Sequence, residues 1–319
     1  MPIVKKTEYD HPRWQFNGHL QTIIPSIFRP AFPLPFERER VKTPDGDFLD
    51  LDWLKNKSKK LVIISHGLEG NSRRPYMTGM AKHFFLNGFD VLTWNYRGCS
   101  EEMNLKPIFY HSGATYDLDT VVSHAETSYE DIYLIGFSLG GNLTLKYLGE
   151  TSRWKKKIKK AVAISVPLDL ESSSIKISTG ENIIYAKRFL RTLKQKVVLK
   201  AQKFPDDIPL GILRNIKTLK DFDDHFTGPL HGFDDAHDYY TKNSSMGFLN
   251  KIEVPSLILN AQNDPFLSPK CFPITLGRKL EHIWMDFPRT GGHVGFSPRK
   301  KEDIYWSEKR AFEFITIDQ

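Results

Sequence analysis

DIYLIGFSLGGNLTLKYLG, residues 131–149, is the stretch that decides the fold. Its first part, DIYLI, is a short apolar run rich in strand-forming residues, as in a strand covered on both faces. Its last part, GGNLTLKYLG, reads as a helix. Between them stands Gly136-Phe137-Ser138-Leu139-Gly140, so Ser138 falls on a strand-to-helix turn. The backbone is strained in such a turn, and glycine two residues before and two after the serine avoids side-chain collision. A bare GxSxG string occurs by chance, whereas strand, motif and helix in that order are specific. The alternative is an ordinary turn serine.

A serine hydroxyl is a poor nucleophile at neutral pH and needs a base, an orienting acid and donors for an oxyanion. The same turn puts the amide of Leu139 at a helix N-terminus, where an uncommitted N–H and the helix dipole favour negative charge. The second donor should come from the loop after the strand KLVIIS, His66-Gly67-Leu68-Glu69-Gly70, where position selects the N–H of Leu68. His66 itself reads as a structural hydrogen-bonding group, because it precedes the loop that must wrap the oxyanion.

In this kind of site the chain order is nucleophile, acid, base. Asp264 ends the strand-like SLILNAQN, with Pro265 stopping the strand after it, and is the preferred acid. Asp169, just after KAVAISVPL, is its rival one strand earlier. His293 lies in the glycine-rich Thr290-Gly291-Gly292-His293-Val294-Gly295-Phe296 after the last strand and is the candidate base.

Outward from these blocks, short apolar runs alternate with helical segments from residue 37 onward, the pattern of an α/β fold with a mostly parallel central sheet flanked by helices. ERERVKTP and FLDLDWLK form a hairpin about Asp45-Gly46-Asp47, and buried strands follow at 60–67, 89–98, 131–138, 160–167, 256–264 and 282–288. About 80 residues, 168–250, separate two strands that a short crossover could join, so an insertion is expected there: a polar linker ESSSIKISTGEN, a basic helix, and DFDDHFTGPLHGFDDAHDYY, set over the strand ends as a helical cap or lid. Residues 1–36, rich in aromatics and proline, are expected to form an irregular packing arm. The 319 residues then make a single domain.

The formal net charge of +7 directs attention to acidic partners. Much of the charge lies in Arg153 to Lys160 and in Lys187 to Lys203. The second stretch has Ile183, Ile184, Phe189, Leu190, Leu193, Val197, Val198 and Ala201 near helical spacing. A solvated helix face and a peripheral membrane-surface helix are both readings of it; no aromatic-interleaved basic motif supports nucleic-acid binding. There is no apolar run of about 18 residues and no secretory leader at the start, which suggests a cytoplasmic protein. Cys99 and Cys271 read as free thiols. The irregular spacing of His111, Asp117, His225, His231 and His237 argues for hydrogen bonding rather than metal, Asn95-Tyr96-Arg97-Gly98 reads as a loop pin, and no phosphate-cradling glycine motif implies a nucleotide, so no cofactor is expected.

GHLQT (18–22), HGLEGNS (66–72), NYRGCS (95–100), HSG (111–113), GFSLGGN (136–142), DFDDHFTGPLHGF (221–233), NAQNDPF and GGHVGF together resemble the YheT-like group of α/β-hydrolases, over nearly the whole chain. The resemblance implies the α/β-hydrolase fold, Ser138, Asp264 and His293 as nucleophile, acid and base, and hydrolysis of carboxylic esters with short- or medium-chain or lipid-like acyl groups. The expected partner is a small-molecule ester. A non-catalytic acyl or lipid binder, or a membrane-associated scaffold, are the rival classes.

Overall fold

The computed structural model describes residues 3–4, 9–150, 157–300 and 304–317; part of the basic run 153–160 lies outside them. Eight strands make one sheet in the order β1-β2-β4-β3-β5-β6-β7-β8. They are β1 (Glu37–Lys42), β2 (Phe48–Leu54), β3 (Lys60–Ser65), β4 (Asp90–Asn95), β5 (Asp131–Phe137), β6 (Ile158–Ile164), β7 (Ser256–Leu259) and β8 (Ile283–Asp286). β2 runs antiparallel to both β1 and β4, and the pairs from β4 through β8 are parallel. The strand ends fall a few residues short of the apolar runs; past β7 the Asn260 side chain bonds the backbone N–H and carbonyl of Val166.

The charged ERERVK strand survives because the register sets Arg38 opposite Asp52 and Arg40 opposite Asp50. Each arginine meets its carboxylate with two hydrogen bonds; cross-strand pairs of this kind replace apolar packing at a sheet edge.

Alternation along the central strands feeds two cores. Leu61, Ile63, Ile132 and Leu134 pack on one face against α3 (Thr115–Glu126) and α4 (Leu139–Glu150). Val62, Ile64, Val91 and Ile135 pack on the other against α2 (Pro75–Leu86) and the C-terminal helix Trp306–Thr316. The NYRG loop is pinned below the sheet ends by Arg97, whose guanidinium, 2% exposed, bonds Asp45, Asp47 and Asp117.

The N-terminal stretch read as an irregular arm holds a regular helix, α1 (Gly18–Phe28), capped by the Asn17 side chain. Its aromatics do not all pack inward: Trp14, Phe16 and Phe28 are exposed, because α1 turns Gln21 and Thr22 to the interior instead. Between β6 and β7 the supposed linker ESSSIKISTGEN also folds, as α5 (Leu170–Ile177), started by the Asp169 side chain that accepts from the Ser172 N–H. α6 (Ile183–Ala201) follows, then the short α7 (Leu219–Phe222), a π-helical turn Asp223–Thr227, α8 (Gly228–Leu230) and α9 (Ala236–Asn243). These elements share a third apolar cluster in which Tyr185, Leu190, Leu193 and Val197 of α6 meet Phe222 and Phe226, and which closes on Phe109 and Phe266 from outside the segment.

The stripe of α6 is narrower than its spacing suggests. Ile183, Ile184 and Val198 lie on the solvent side, while Lys200 is fully buried and its ammonium caps the carbonyls of Lys106 and Ile108. Cys99 and Cys271 are free and buried. Among the described residues no helix is long and apolar enough to cross a membrane.

Candidate active site

Ser138 stands between β5 and α4 at φ +53, one of the few non-glycine residues in the left-handed region. The turn is tight enough to demand both flanking glycines. A Cβ on Gly136 would sit 2.2 Å from the Gly140 carbonyl oxygen, and one on Gly140 would sit 2.5 Å from the Ser65 carbonyl oxygen. The Ser138 N–H donates to Ile164 O at 2.8 Å, anchoring the turn to β6.

His293 Nε2 lies 2.9 Å from Ser138 Oγ, and His293 Nδ1 lies 2.8 Å from Asp264 Oδ2. A carboxylate can only accept, so Nδ1 carries the proton and Nε2 is free to accept from the serine hydroxyl. The Asp264 side chain is fully buried and that of His293 is 10% exposed. The second Asp264 oxygen accepts from the Phe266 N–H at 2.8 Å. The Phe266 ring stacks on the imidazole at 4.0 Å between centroids, fixing its plane.

Four residues outside the predicted set hold the histidine loop. Thr22 Oγ1 accepts from the His293 N–H at 2.9 Å, and Gln21 Oε1 accepts from the Gly291 N–H at 2.7 Å. Asn263 Oδ1 accepts from the Gly292 N–H at 3.1 Å, and Ser165 Oγ from the Val294 N–H at 2.9 Å. Gln21 also accepts from the Asn263 amide at 2.9 Å. The signal for the first two was present as the GHLQT block, which polar residues occupy without an evident surface reason.

Facing the serine from β3 is the loop 66–70. Gly67 brings its backbone so close that an added Cβ would lie 3.2 Å from Ser138 Cβ. The amides of Leu68 and Leu139 have no acceptor among the described residues. His66 is buried, donates from Nδ1 to Gly67 O at 2.8 Å and accepts the Tyr96 N–H at Nε2. Burial holds its pKa down at about 3, so it stays neutral and shapes the loop.

Asp169, the rival acid, is spent on capping α5. Of the five-residue group His111, Asp117, His225, His231 and His237, the rings of His111 and His231 meet at 4.6 Å between centroids, but the rest is spent elsewhere: Asp117 pairs with Arg97, His231 faces the carbonyls of Thr227 and Phe109, and His237 pairs with Glu171. Among the described residues no three His, Cys, Asp or Glu side chains come together as a metal cluster.

Two cavities meet at Ser138 and His293. One, of about 140 Å³, runs under the 168–250 segment between apolar walls that include Phe109, Ile177, Leu193 and Phe222, with Asp223 and Tyr240 at a polar patch. The other, of about 200 Å³, opens between α1, the loop 67–70 and α6, with Arg74 and Arg188 among its lining residues. A serine, a histidine and an aspartate in line at the junction of two clefts have the arrangement that acyl transfer requires.

The family described as "alpha/beta hydrolase fold" matches residues 60–271, and the chain belongs to that family. Within it the chain groups with YheT-like, esterase- and lipase-type members. It is 34% identical to "Putative esterase YheT" of Escherichia coli (strain K12), over 94% of this chain and 90% of that protein. It is 28% identical to "Phospholipase ABHD3" of Homo sapiens, over 92% of this chain and 75% of that protein. The Pyrococcus furiosus esterase Pf2001 shares the fold with a TM-score of 0.59, 16% identity, and 98% of each chain covered.

Proposed function

We propose that the chain hydrolyses carboxylic esters through an acyl-enzyme on Ser138. The observation that carries the reading is the unbroken line from Asp264 Oδ2 through His293 to Ser138 Oγ, with separations of 2.8 and 2.9 Å. His293 Nε2 takes the hydroxyl proton as Oγ attacks the ester carbonyl. The N–H groups of Leu68 and Leu139 donate to the oxyanion, and Asp264 stabilises the imidazolium. As the intermediate collapses, His293 returns the proton to the leaving alcohol. Water then attacks the acyl group by the same route and frees the serine.

The mostly apolar cleft under the 168–250 segment suits a short- to medium-chain or lipid-like acyl group, and that segment acts as a cap that selects it. The names of the relatives, an esterase and a phospholipase, agree with this class. No step calls for a cofactor, and a cytoplasmic setting fits the two free thiols.

The test joins covalent labelling to turnover. A fluorophosphonate should label Ser138, found by mass spectrometry, and p-nitrophenyl esters of graded chain length should be hydrolysed, with Ser138→Ala losing about 10⁴-fold or more in kcat. Labelling that persists in Ser138→Ala would end the assignment. Tight binding of fatty acids with no turnover of any ester would favour the acyl-binding class.

A further inference from the structure

The loop that carries Leu68 is gripped from the far side by one lysine of α6. Lys196, with 18% of its side chain exposed, places Nζ 2.8 Å from Glu69 Oε1 and 3.2 Å from Cys99 Sγ. Glu69 directly follows Leu68 and sits at φ +54, a backbone region that side chains other than glycine keep only when their surroundings hold them there. Its N–H donates to Tyr110 Oη at 2.8 Å, and Tyr110 Oη donates back to Glu69 Oε1 at 2.8 Å. Tyr110 is fixed from the sheet side, its ring stacked on Tyr96. The Glu69 carboxylate, 7% exposed, therefore receives one fixed donor from below and one cation from the inserted segment above. The other inward lysine of α6, Lys200, bonds carbonyls 104–108 and does not reach this loop.

We propose that Lys196 is a positioning residue for ester hydrolysis: its ion pair with Glu69 holds the Leu68 amide toward the reacting carbonyl oxygen, so the site is complete only when α6 is seated. The inference rests on the reading of Ser138 as nucleophile and of Leu68 as oxyanion donor. An amide that shifts by about 1 Å loses much of its transition-state hydrogen bond, while a small neutral ester keeps its binding to the apolar walls of the cleft, at whose edge Lys196 also stands. The loss then belongs to kcat.

The experiment is steady-state turnover of p-nitrophenyl acetate, normalised by titrating Ser138 with a fluorophosphonate. Lys196→Met should lower kcat about 10- to 100-fold with KM within about twofold. Lys196→Arg should recover most of the rate, Glu69→Gln should match the loss, and the double variant should lose no more than either single. Lys194→Met is the control on the same helix, since among the described residues Lys194 donates to Ile216 O, at 2.7 Å, and not to the Leu68 loop, and it should keep its kcat. If Lys196→Met fails to fold, Lys196→Arg and Glu69→Gln carry the comparison. Unchanged kcat in Lys196→Met or Glu69→Gln, multiplied losses in the double variant, or an equal loss in Lys194→Met would overturn the proposal. A wild-type protein that neither labels at Ser138 nor turns over any ester would remove the esterase reading, and this one with it.

Discussion

Asp264 and Asp169 follow neighbouring strands, and at the scale of single residues only their partners tell them apart. Asp264 spends one oxygen on His293 and the other on the Phe266 N–H, whereas Asp169 caps α5. Asp264→Asn should therefore lower kcat by about 10³- to 10⁴-fold, because the imidazole loses the partner that selects its tautomer. Asp169→Asn should change kcat little, as asparagine caps a helix about as well as aspartate. Kinetics on one ester with both variants checks this, and the reverse ranking would move the acid to the earlier strand. The meeting of Ser138 with His293 was legible because chain order and glycine placement are local properties, and these preferred Asp264 to Asp169 without deciding between them. Gln21 and Thr22 were not assigned roles, because their partners lie about 270 residues away in sequence.

Among the elements, α6 departs most from its sequence pattern. Lys194, which reads as one more surface cation, bonds Ile216 O, and Lys196 and Lys200 turn inward. The outward basic face is Lys187, Arg188 and Arg191, flanked by the exposed Ile184 and Leu199. Arg188 also lines the second cavity. Replacing these three by glutamine should leave kcat on a small neutral ester unchanged and raise KM for a long or anionic acyl substrate. The difference should shrink with added salt, since charges are screened beyond about 10 Å at 0.1 M. Equal loss on both substrates would mean the face supports the chemistry itself. Flotation with anionic liposomes at low and high salt reads the membrane alternative separately. Periodicity located the helix but not its inward lysines, because lysine is buried only where a particular carboxylate or set of carbonyls awaits it.

Across the whole molecule, buried ionisable groups set the response to pH. Burial pushes the pKa of His66 down to about 3, that of His111 well below its ordinary value, and that of His231 down as well. The unfolded chain protonates such histidines near pH 6.5 while the native one does not, so their stabilisation is full above that pH and is lost as pH falls below it. Asp223 acts in the opposite sense: burial raises it to about 6, so its contribution is present at low pH and is lost as pH rises toward 6. Asp117 and Glu308, also raised by burial, share that sign. Between pH 7 and 5 the unfolded chain takes up protons that the three buried histidines refuse, and the melting temperature should fall across that interval. Asp223→Asn should steepen the fall and add on the order of 1 kcal/mol at pH 7, the carboxyl facing a cavity rather than a dry core. A melting temperature flat or rising from pH 7 to 5 would refute the balance. The sequence alone determined the sheet, its flanking helices, the strand-to-helix turn at Ser138 and the chain order of the candidate site residues, since each depends on patterns a few residues long. Tertiary structure alone decided which acidic side chain meets the histidine, that α1 carries the histidine loop, and that α6 reaches the Leu68 loop. Those contacts join segments between about 30 and 270 residues apart, and local spacing carries no record of them.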